Sequence, residues 1–319
     1  MGRVKGMLKQ AAMLLCVAAT AAVGFKWVSA EPALSAEMKP EIAAASAILI
    51  DADYGTVYYE MNADDALPPA SMSKMMTEII LLDRIKEGAI AWNDKVTISP
   101  YAANVAGAEM GAEEGQRLTV EELFAAMTVH SANDAAVALA EHAAGTETQF
   151  VEWMNEKAQA IGLSKQAFFA NATGLSSADL IRFPQAASLE ETSLTARDTA
   201  KLAAYLVKVH PKVLDVTKRS EVTVDQSRIV LRTTNMMLPG ENHAYNGNDG
   251  LKTGYTQRAG YCFTGTAERN GKRLIAVVMG TPNSDARFTE TEKLFRYGFG
   301  RKSADSWQAM LRAVLINHN

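Results

Sequence analysis

The sequence predicts an α/β fold of the α+β type: one antiparallel sheet formed by N- and C-terminal strands, covered by helices, with a helical subdomain between. Three observations predict it. Strand-like stretches gather at the two ends, at 45–50 and 56–61 and again at 248–254, 259–268 and 272–280. The segment between them carries apolar residues at helical spacing. Hairpin signals join neighbouring strands: a Gly-containing turn at Asp51-Ala52-Asp53-Tyr54-Gly55, and Asn270-Gly271, the pair a type I′ turn favours. Strands separated this way close into one layered domain when the first hairpin pairs beside the last strands.

The chain has 319 residues, 48% hydrophobic and 21% charged, ordinary values for a globular protein. Arg3, Lys5 and Lys9 precede an apolar run over 11–25, and Val28-Ser29-Ala30 sets small residues at a cleavage site before Glu31. Residues 1–30 are therefore expected to be a secretory signal peptide. An uncleaved anchor is the alternative, for which the run is short. Leu15 before Cys16 argues against a lipoprotein site. Cleavage would remove four basic residues and no acidic ones, leaving 28 basic against 36 acidic and a formal charge of −8. That balance speaks against a nucleic-acid partner. Only Cys262 would remain, so no intramolecular disulfide is possible and the fold must rest on its core. Within Gly260-Tyr261-Cys262-Phe263-Thr264, a strand-like run, it reads as a buried, inert thiol.

After a polar lead-in over 31–43 and the first hairpin, Leu67-Pro68-Pro69-Ala70 approaches a helix that ends near Gly88. Its Met75, Met76, Ile79, Ile80, Leu81 and Leu82 leave few polar faces, which marks a buried helix. Lys95-Val96-Thr97-Ile98 is a short strand, and 107–115 a loop. Leu118-Thr119 with Glu121 and Glu122 starts a helix whose apolar face is Val120, Leu123, Phe124 and Met127. It runs into His130-Ser131-Ala132-Asn133, followed by an Ala-rich helix over 135–144 and a third over 150–161, stopped by Gly162. Asn171-Ala172-Thr173-Gly174-Leu175 is turn-rich, and 176–190 reads as a surface loop. Ser193-Leu194-Thr195 caps a helix to about Val209, stopped by His210-Pro211. Residues 220–232 alternate as one strand would, and 286–297 form a closing helix. No repeat, linker or second domain after Gly300 is expected.

The chemistry centres on Ser71-Met72-Ser73-Lys74. Positions i and i+3 share a helix face, so hydroxyl and amine can meet. A neutral amine there can take the serine's proton, and a helix N-terminus adds N–H groups near the reacting centre. Alone, S-x-x-K arises by chance about once in such a chain and equally suits a helix start with a surface lysine. Ser131-Ala132-Asn133 and Lys252-Thr253-Gly254 follow in order, and each of the three patterns occurs once. That combination is far more specific. G-x-S-x-G and H-E-x-x-H are both missing and the five His residues are scattered, against a Ser-His-Asp hydrolase or a zinc peptidase.

On these motifs the chain resembles the low-molecular-weight penicillin-binding proteins, serine-type D-alanyl-D-alanine carboxypeptidases of the bacterial cell wall. The resemblance covers about residues 40–300 and extends to Asp53-Tyr54-Gly55, Pro69-Ala70, Asn171 to Leu175 and Asp249-Gly250. It implies a β-lactamase/penicillin-binding-protein transpeptidase-like fold and a catalytic domain over 31–300. It further implies a peptidoglycan stem peptide ending in D-Ala-D-Ala as substrate, β-lactams as covalent inhibitors, and neither metal nor cofactor. Ser71 is then the nucleophile and Lys74 its base, neutral through burial beside Lys252. Ser131 relays a proton to the leaving amine, and Asn133 orients Lys74 and binds the substrate amide. Lys252 and Thr253 meet the terminal carboxylate. Gly254 lets the substrate backbone approach the strand. The N–H groups of Ser71 and Tyr255 form the oxyanion hole, and the substrate lies along the Lys252 strand as an added strand.

Two departures stand out: Ala132 replaces the Gly common in the second motif, and a separate β-rich C-terminal domain is not expected. A serine β-lactamase on the same fold is the main alternative, distinguished by a deacylating carboxylate for which no segment matches. A non-catalytic cell-wall-binding protein is a third, weakened by the filled catalytic positions. In the expected amphipathic tail, 301–319, Trp307, Met310, Leu311, Val314 and Leu315 form a stripe. The stripe suits packing back onto the domain, which is the expectation, or weak association with a membrane surface, for which Arg312 is the only cation on its polar face.

Overall fold

A computed structural model describes residues 39–224 and 229–300; the expected signal peptide, the start of the lead-in and the C-terminal tail lie outside the described residues. In chain order, β1 (Ser46–Asp51) and β2 (Val57–Met61) form the first hairpin, followed by a 3-10 turn (Ala70–Ser73) and α1 (Lys74–Lys86). The helical block contains β3 (Lys95–Thr97), α2 (Pro100–Asn104), β4 (Arg117–Thr119) and α3 (Val120–Ala125). A π-helical turn (Ala126–His130) leads into α4 (Asn133–Ala144), α5 (Glu147–Ala160), α6 (Ser177–Leu180) and α7 (Ala196–Val209). A 3-10 turn (Pro211–Val213), α8 (Leu214–Thr217), β5 (Glu221–Val224) and β6 (Ile229–Arg232) lead to β7 (Asn248–Thr256), β8 (Gly260–Arg269), β9 (Lys272–Thr281) and α9 (Ala286–Gly300).

The main sheet runs β2-β1-β9-β8-β7, antiparallel throughout, so the first hairpin does pair beside the last strands. Asn270 and Gly271 both take positive φ (53° and 74°), as a type I′ turn requires. At the other hairpin, Asp51 Oδ1 accepts the Asp53 and Tyr54 N–H groups, and Gly55 turns the chain with φ 68°.

Alternate residues of the central strands enter two cores. Ile48, Ile50, Ile275 and Val277 join the larger, between the sheet and the helical block. Ala47, Leu49, Leu274, Ala276 and Val278 face the other way, onto Phe288, Leu294 and Phe295 of α9. Covered on both faces, β1 is buried at every position. Helix α1 is buried from Lys74 to Leu81, in line with its apolar sequence. Thr119 and Glu122 close a reciprocal capping box at the start of α3.

Three readings change. Residues 220–232 are not one strand: β5 and β6 pair antiparallel with each other, Glu221 opposite Arg232 and Val224 opposite Ile229. A period-2 pattern looks the same in a long strand and a hairpin unless a turn signal interrupts it, and Asp225-Gln226-Ser227-Arg228 contains no Gly, Pro or Asn. Between the short strand at 95–98 and the loop at 107–115 stands an extra helix, α2, capped by Ser99 Oγ, and after that loop a strand, β4, pairs with β3. The loop read over 176–190 contains the single-turn α6.

Carboxylates tie the loops of the helical block to its helices. Glu147, 1% exposed, accepts hydrogen bonds from Tyr101 OH and from the N–H groups of Ala172 and Ala187, each at 3.0 Å. Burial pushes its carboxyl pKa up, and the two backbone donors oppose that. Replacing Glu147 by Ala strands three buried donors, so the fold should lose about 2–4 kcal/mol. Urea denaturation should show a lower midpoint at similar slope; an unchanged midpoint would mean that these donors find other partners.

Candidate active site

Ser71 lies in the 3-10 turn and Lys74 is the first residue of α1. Lys74 is fully buried, and its Nζ is 2.8 Å from Ser71 Oγ, 2.6 Å from Asn133 Oδ1 and 2.8 Å from the Thr173 carbonyl oxygen. Asn133 Nδ2 donates to the Ala106 carbonyl at 2.6 Å, which fixes the amide so that its oxygen faces the amine. Asn133 and Thr173 offer acceptors only. A neutral amine fills both with its two N–H bonds and turns its lone pair to the Ser71 hydroxyl, the arrangement a general base needs. Burial first, and then the charge of Lys252, hold the Lys74 pKa well below its ordinary value.

Ser131 reaches the same place through unusual backbone. The π turn widens the end of α3, and Ser131 then takes a left-handed conformation, φ 69° and ψ 23°, before α4 begins at Asn133. Such a φ costs a non-glycine residue about 1–2 kcal/mol. Lys252 Nζ donates to Ser131 Oγ at 2.7 Å and to the Thr253 carbonyl at 3.1 Å. Burial lowers the Lys252 pKa; Glu78 opposes that shift and Arg287 adds to it.

The surrounding loops are anchored from below. Asp134 accepts backbone N–H groups from Met110, Gly111, Ala112 and Ala135, and Asn133 N donates to the Ala108 carbonyl, which seats the 106–112 loop on α4. Asn171 Oδ1 accepts from Thr173 N, Thr173 Oγ1 and Gly174 N, shaping the turn that presents the Thr173 carbonyl. A Cβ on Gly174 would fall 2.1 Å from the Ala70 carbonyl oxygen, so only glycine lets this turn press against the Ser71 turn.

A cavity opens above the pair, between β7, the Ser131 turn and the 106–112 loop, with Ser71, Ser131, Asn133, Thr253, Tyr255 and Arg287 in its wall. The structure brings all eight residues named from the sequence together here, with two differences of placement. Lys252, 1% exposed, lies beneath the cavity and faces Ser131, not the opening. A Cβ on Gly254 would lie 2.5 Å from the Pro69 carbonyl oxygen, so the missing side chain makes room for the Ser71 turn.

Sequence reasoning missed Arg287, Thr234, Asp134, Glu147 and Glu78. Arg287 enters the wall from α9; Thr234 Oγ1 lies 2.6 Å from Thr253 Oγ1. None is a motif position: Glu78 and Asp134 merely follow the first and second motifs, and only the fold brings Thr234 and Arg287 into the cavity wall beside Ser71. Among the described residues, no Asp or Glu lines the cavity, no cluster suits a metal ion, and no helix is long and apolar enough to cross a membrane.

Comparison with known proteins places this geometry in context. The family model for D-alanyl-D-alanine carboxypeptidase matches residues 33–283. The chain is 35% identical over 264 residues to D-alanyl-D-alanine carboxypeptidase DacF of Bacillus subtilis, covering 81% of this chain and 62% of the relative. It is 32% identical to DacA of Haemophilus influenzae, covering 92% and 71%. The chain thus spans less than two thirds of the length of the Bacillus relative. Similar solved structures include a Listeria monocytogenes penicillin-binding protein with ampicillin bound (34% identity, TM-score 0.69, 82% of this chain and 98% of that one). Another is PBP3, a peptidoglycan synthesis regulatory factor of Streptococcus pneumoniae (36%, TM-score 0.76, 81% and 74%). With the family match spanning most of its length and the fold shared, the chain belongs to the D-alanyl-D-alanine carboxypeptidase family.

Proposed function

We propose that this protein is a serine D,D-carboxypeptidase that removes the terminal D-alanine from peptidoglycan stem peptides, after export directed by residues 1–30. The observation that carries the reading is the 2.8 Å contact between Ser71 Oγ and a buried Lys74 amine whose other partners are neutral acceptors. Ser71 attacks the carbonyl between the two D-alanines as Lys74 takes its proton. The oxyanion is met by the N–H groups of Ser71 and Tyr255, the latter on the sheet's edge strand. Ser131 passes a proton to the leaving amine and is resupplied from Lys252, whose Nζ lies 2.7 Å from its hydroxyl, and Asn133 holds the substrate amide. Water then cleaves the Ser71 ester. Thr253, Thr234 and Arg287 face the place where the terminal carboxylate ends, and Lys252 adds positive potential from beneath.

The direct test is release of D-alanine from a model peptide ending in D-Ala-D-Ala. Ser71→Ala should release none and take up no penicillin while keeping its unfolding midpoint. A penicillin adduct on another serine of that variant would end the assignment.

Arg287→Ala should weaken peptides with a free terminal carboxylate by about 2–3 kcal/mol in kcat/KM, and leave carboxylate-free esters nearly unchanged. Equal losses on both would place the guanidinium's role in packing against Tyr261 and Phe288.

Penicillin separates this reading from a β-lactamase. Among the described residues no carboxylate lines the cavity wall, so no dedicated carboxylate base serves the penicilloyl ester, and the tethered leaving group blocks the water's approach. A positioned base contributes about 10²–10⁴ in rate. A one-to-one adduct should therefore persist for minutes or longer by intact mass; rapid turnover without adduct would favour the β-lactamase.

A further inference from the structure

Glu78 has no part in the chemistry above, yet it is buried beside it. It stands on α1 four residues after Lys74, hence on the same helix face, and is 1% exposed. Its surroundings differ from those of the other buried carboxylates near the site. Asp134 and Glu147 are saturated by backbone and tyrosine donors and tie down loops. Glu78 Oε1 has no hydrogen-bond partner among the described residues. Burial pushes its carboxyl pKa up to about 7; Lys252, the Thr128 hydroxyl on the π turn and Lys74 oppose that, although the hydroxyl too closes no hydrogen bond. What Glu78 does have is two buried cations-in-waiting: Lys252 across from β7 and Lys74 on its own helix.

A carboxylate held without donors in the interior is expensive unless a positive charge offsets it. The reverse holds for the lysines. Lys252 is surrounded by the Ser131 hydroxyl and a carbonyl, with Arg287 pressing against its charge and Glu78 favouring it. Lys74 has neutral hydrogen-bond partners; Lys252 opposes its charge, and Asp134 and Glu78 favour it. The proposed mechanism needs unequal states: Lys74 neutral as base, Lys252 charged beneath the carboxylate site. Glu78 is the anion that favours the charge of both lysines, and it offsets one such charge and not two.

We propose that Glu78 is the internal counter-ion of the Lys74–Lys252 pair, a positioning residue that keeps a single positive charge on these two lysines in the working enzyme. The inference rests on the acyl-transfer reading above. Its signature is a pH profile. In acylation of Ser71 by a fluorescent penicillin, the acid limb reports deprotonation of the base and the alkaline limb loss of the remaining lysine proton, as properties of the coupled pair. A nearby anion raises both amine pKa values, so removing it moves both limbs to lower pH.

The experiment measures that profile for the full chain and for Glu78→Gln, Glu78→Asp and Thr128→Val. Glu78→Gln keeps the shape and removes the charge; both limbs should fall by about 1–3 pH units. Glu78→Asp keeps the charge and should hold the limbs near their original positions, whatever its maximal rate. Thr128→Val removes a hydroxyl that favours the carboxylate and should shift the limbs in the same direction by less. Limbs unmoved in Glu78→Gln would overturn the proposal, since a merely structural role alters rate or stability without moving them. Should Glu78→Gln fail to fold, unmoved limbs in Thr128→Val overturn it. If the unaltered protein takes no penicillin at Ser71, the acyl-transfer reading itself fails; labelling with unmoved limbs defeats the counter-ion alone.

Discussion

A lysine amine shut away from water with only neutral hydrogen-bond partners is the constraint on which the rest of this structure depends. Lys74 is fully buried, and its three contacts are a hydroxyl, an amide oxygen and a carbonyl. A charged ammonium placed there would lack close compensation, so the environment favours the neutral form. Each contact comes from a different part of the chain: the turn before α1, the first residue of α4, and the Asn171–Leu175 turn. Much of the helical block serves to hold these three together. Asp134 fixes one loop against α4, and Glu147 and Asn171 fix the turn that carries Thr173. Thr77, also on α1, donates to the Ala172 carbonyl and locks that turn against the helix bearing the lysine.

Backbone strain marks the places where this convergence is forced. Ala70 and Ser131 both take positive φ, at 49° and 69°. Neither residue gains locally from it, and each costs about 1–2 kcal/mol. The contacts made possible on either side offset that cost. Ala70 lets the chain fold under Gly174 before Ser71 is presented. Ser131 turns its hydroxyl to Lys252 and leaves Asn133 free to start α4 facing Lys74. Strain of this kind persists only where packing over-determines the position, and Ala70 itself and Ala132, the neighbour of Ser131, are buried in the larger core.

The parts of this arrangement legible in the sequence are those encoded within a few residues. The i, i+3 relation of Ser71 and Lys74 is intrinsic to a helix start, the Asn270-Gly271 turn to its own two residues, and the apolar faces of α1 and α3 to their periodicity. The pairing of the first hairpin beside the last strands also followed from hairpins placed at both ends of the chain, but not that β1 and β9 are the strands that meet. What was not legible depends on contacts between distant segments. Gly254 reads as an opening for a ligand, but the nearer claim on its space is the Pro69 carbonyl, 185 positions away in the chain's numbering. Lys252 reads as a cation that meets the terminal carboxylate, but it lies beneath the cavity against Ser131, because a strand residue's depth is decided by what packs over it. Arg287 carries no local signal, because nothing in Ala286-Arg287-Phe288 distinguishes it from any helix start. The hairpin of β5 and β6 escaped detection for the opposite reason: the pattern was local, and two structures share it.

The proposed nucleophile, Ser71, and the proposed carboxylate anchor, Arg287, are positioned by different cores. Ala70, Met72 and Met75, which flank Ser71 and Lys74, belong to the larger core under the helical block. Arg287 stands beside Phe288, which belongs to the smaller core on the opposite face of the sheet. Ser71 and Arg287 come together at β7, the edge of the sheet, where Gly254 receives the Ser71 turn on one side and its carbonyl accepts Arg287 Nη1 at 3.4 Å. An edge strand is ordinarily a liability, with one row of backbone groups left to pair with any passing chain. In the proposed reaction that row is where an extended peptide would add itself, with Ser71 and Arg287 fixed on either side of it. The spacing between attack point and anchor is therefore set by the pleat of a single strand. A sheet buried on both faces holds such a spacing more firmly than loops can, which accounts for the position of the cavity against the edge strand and for the concentration of helices behind it.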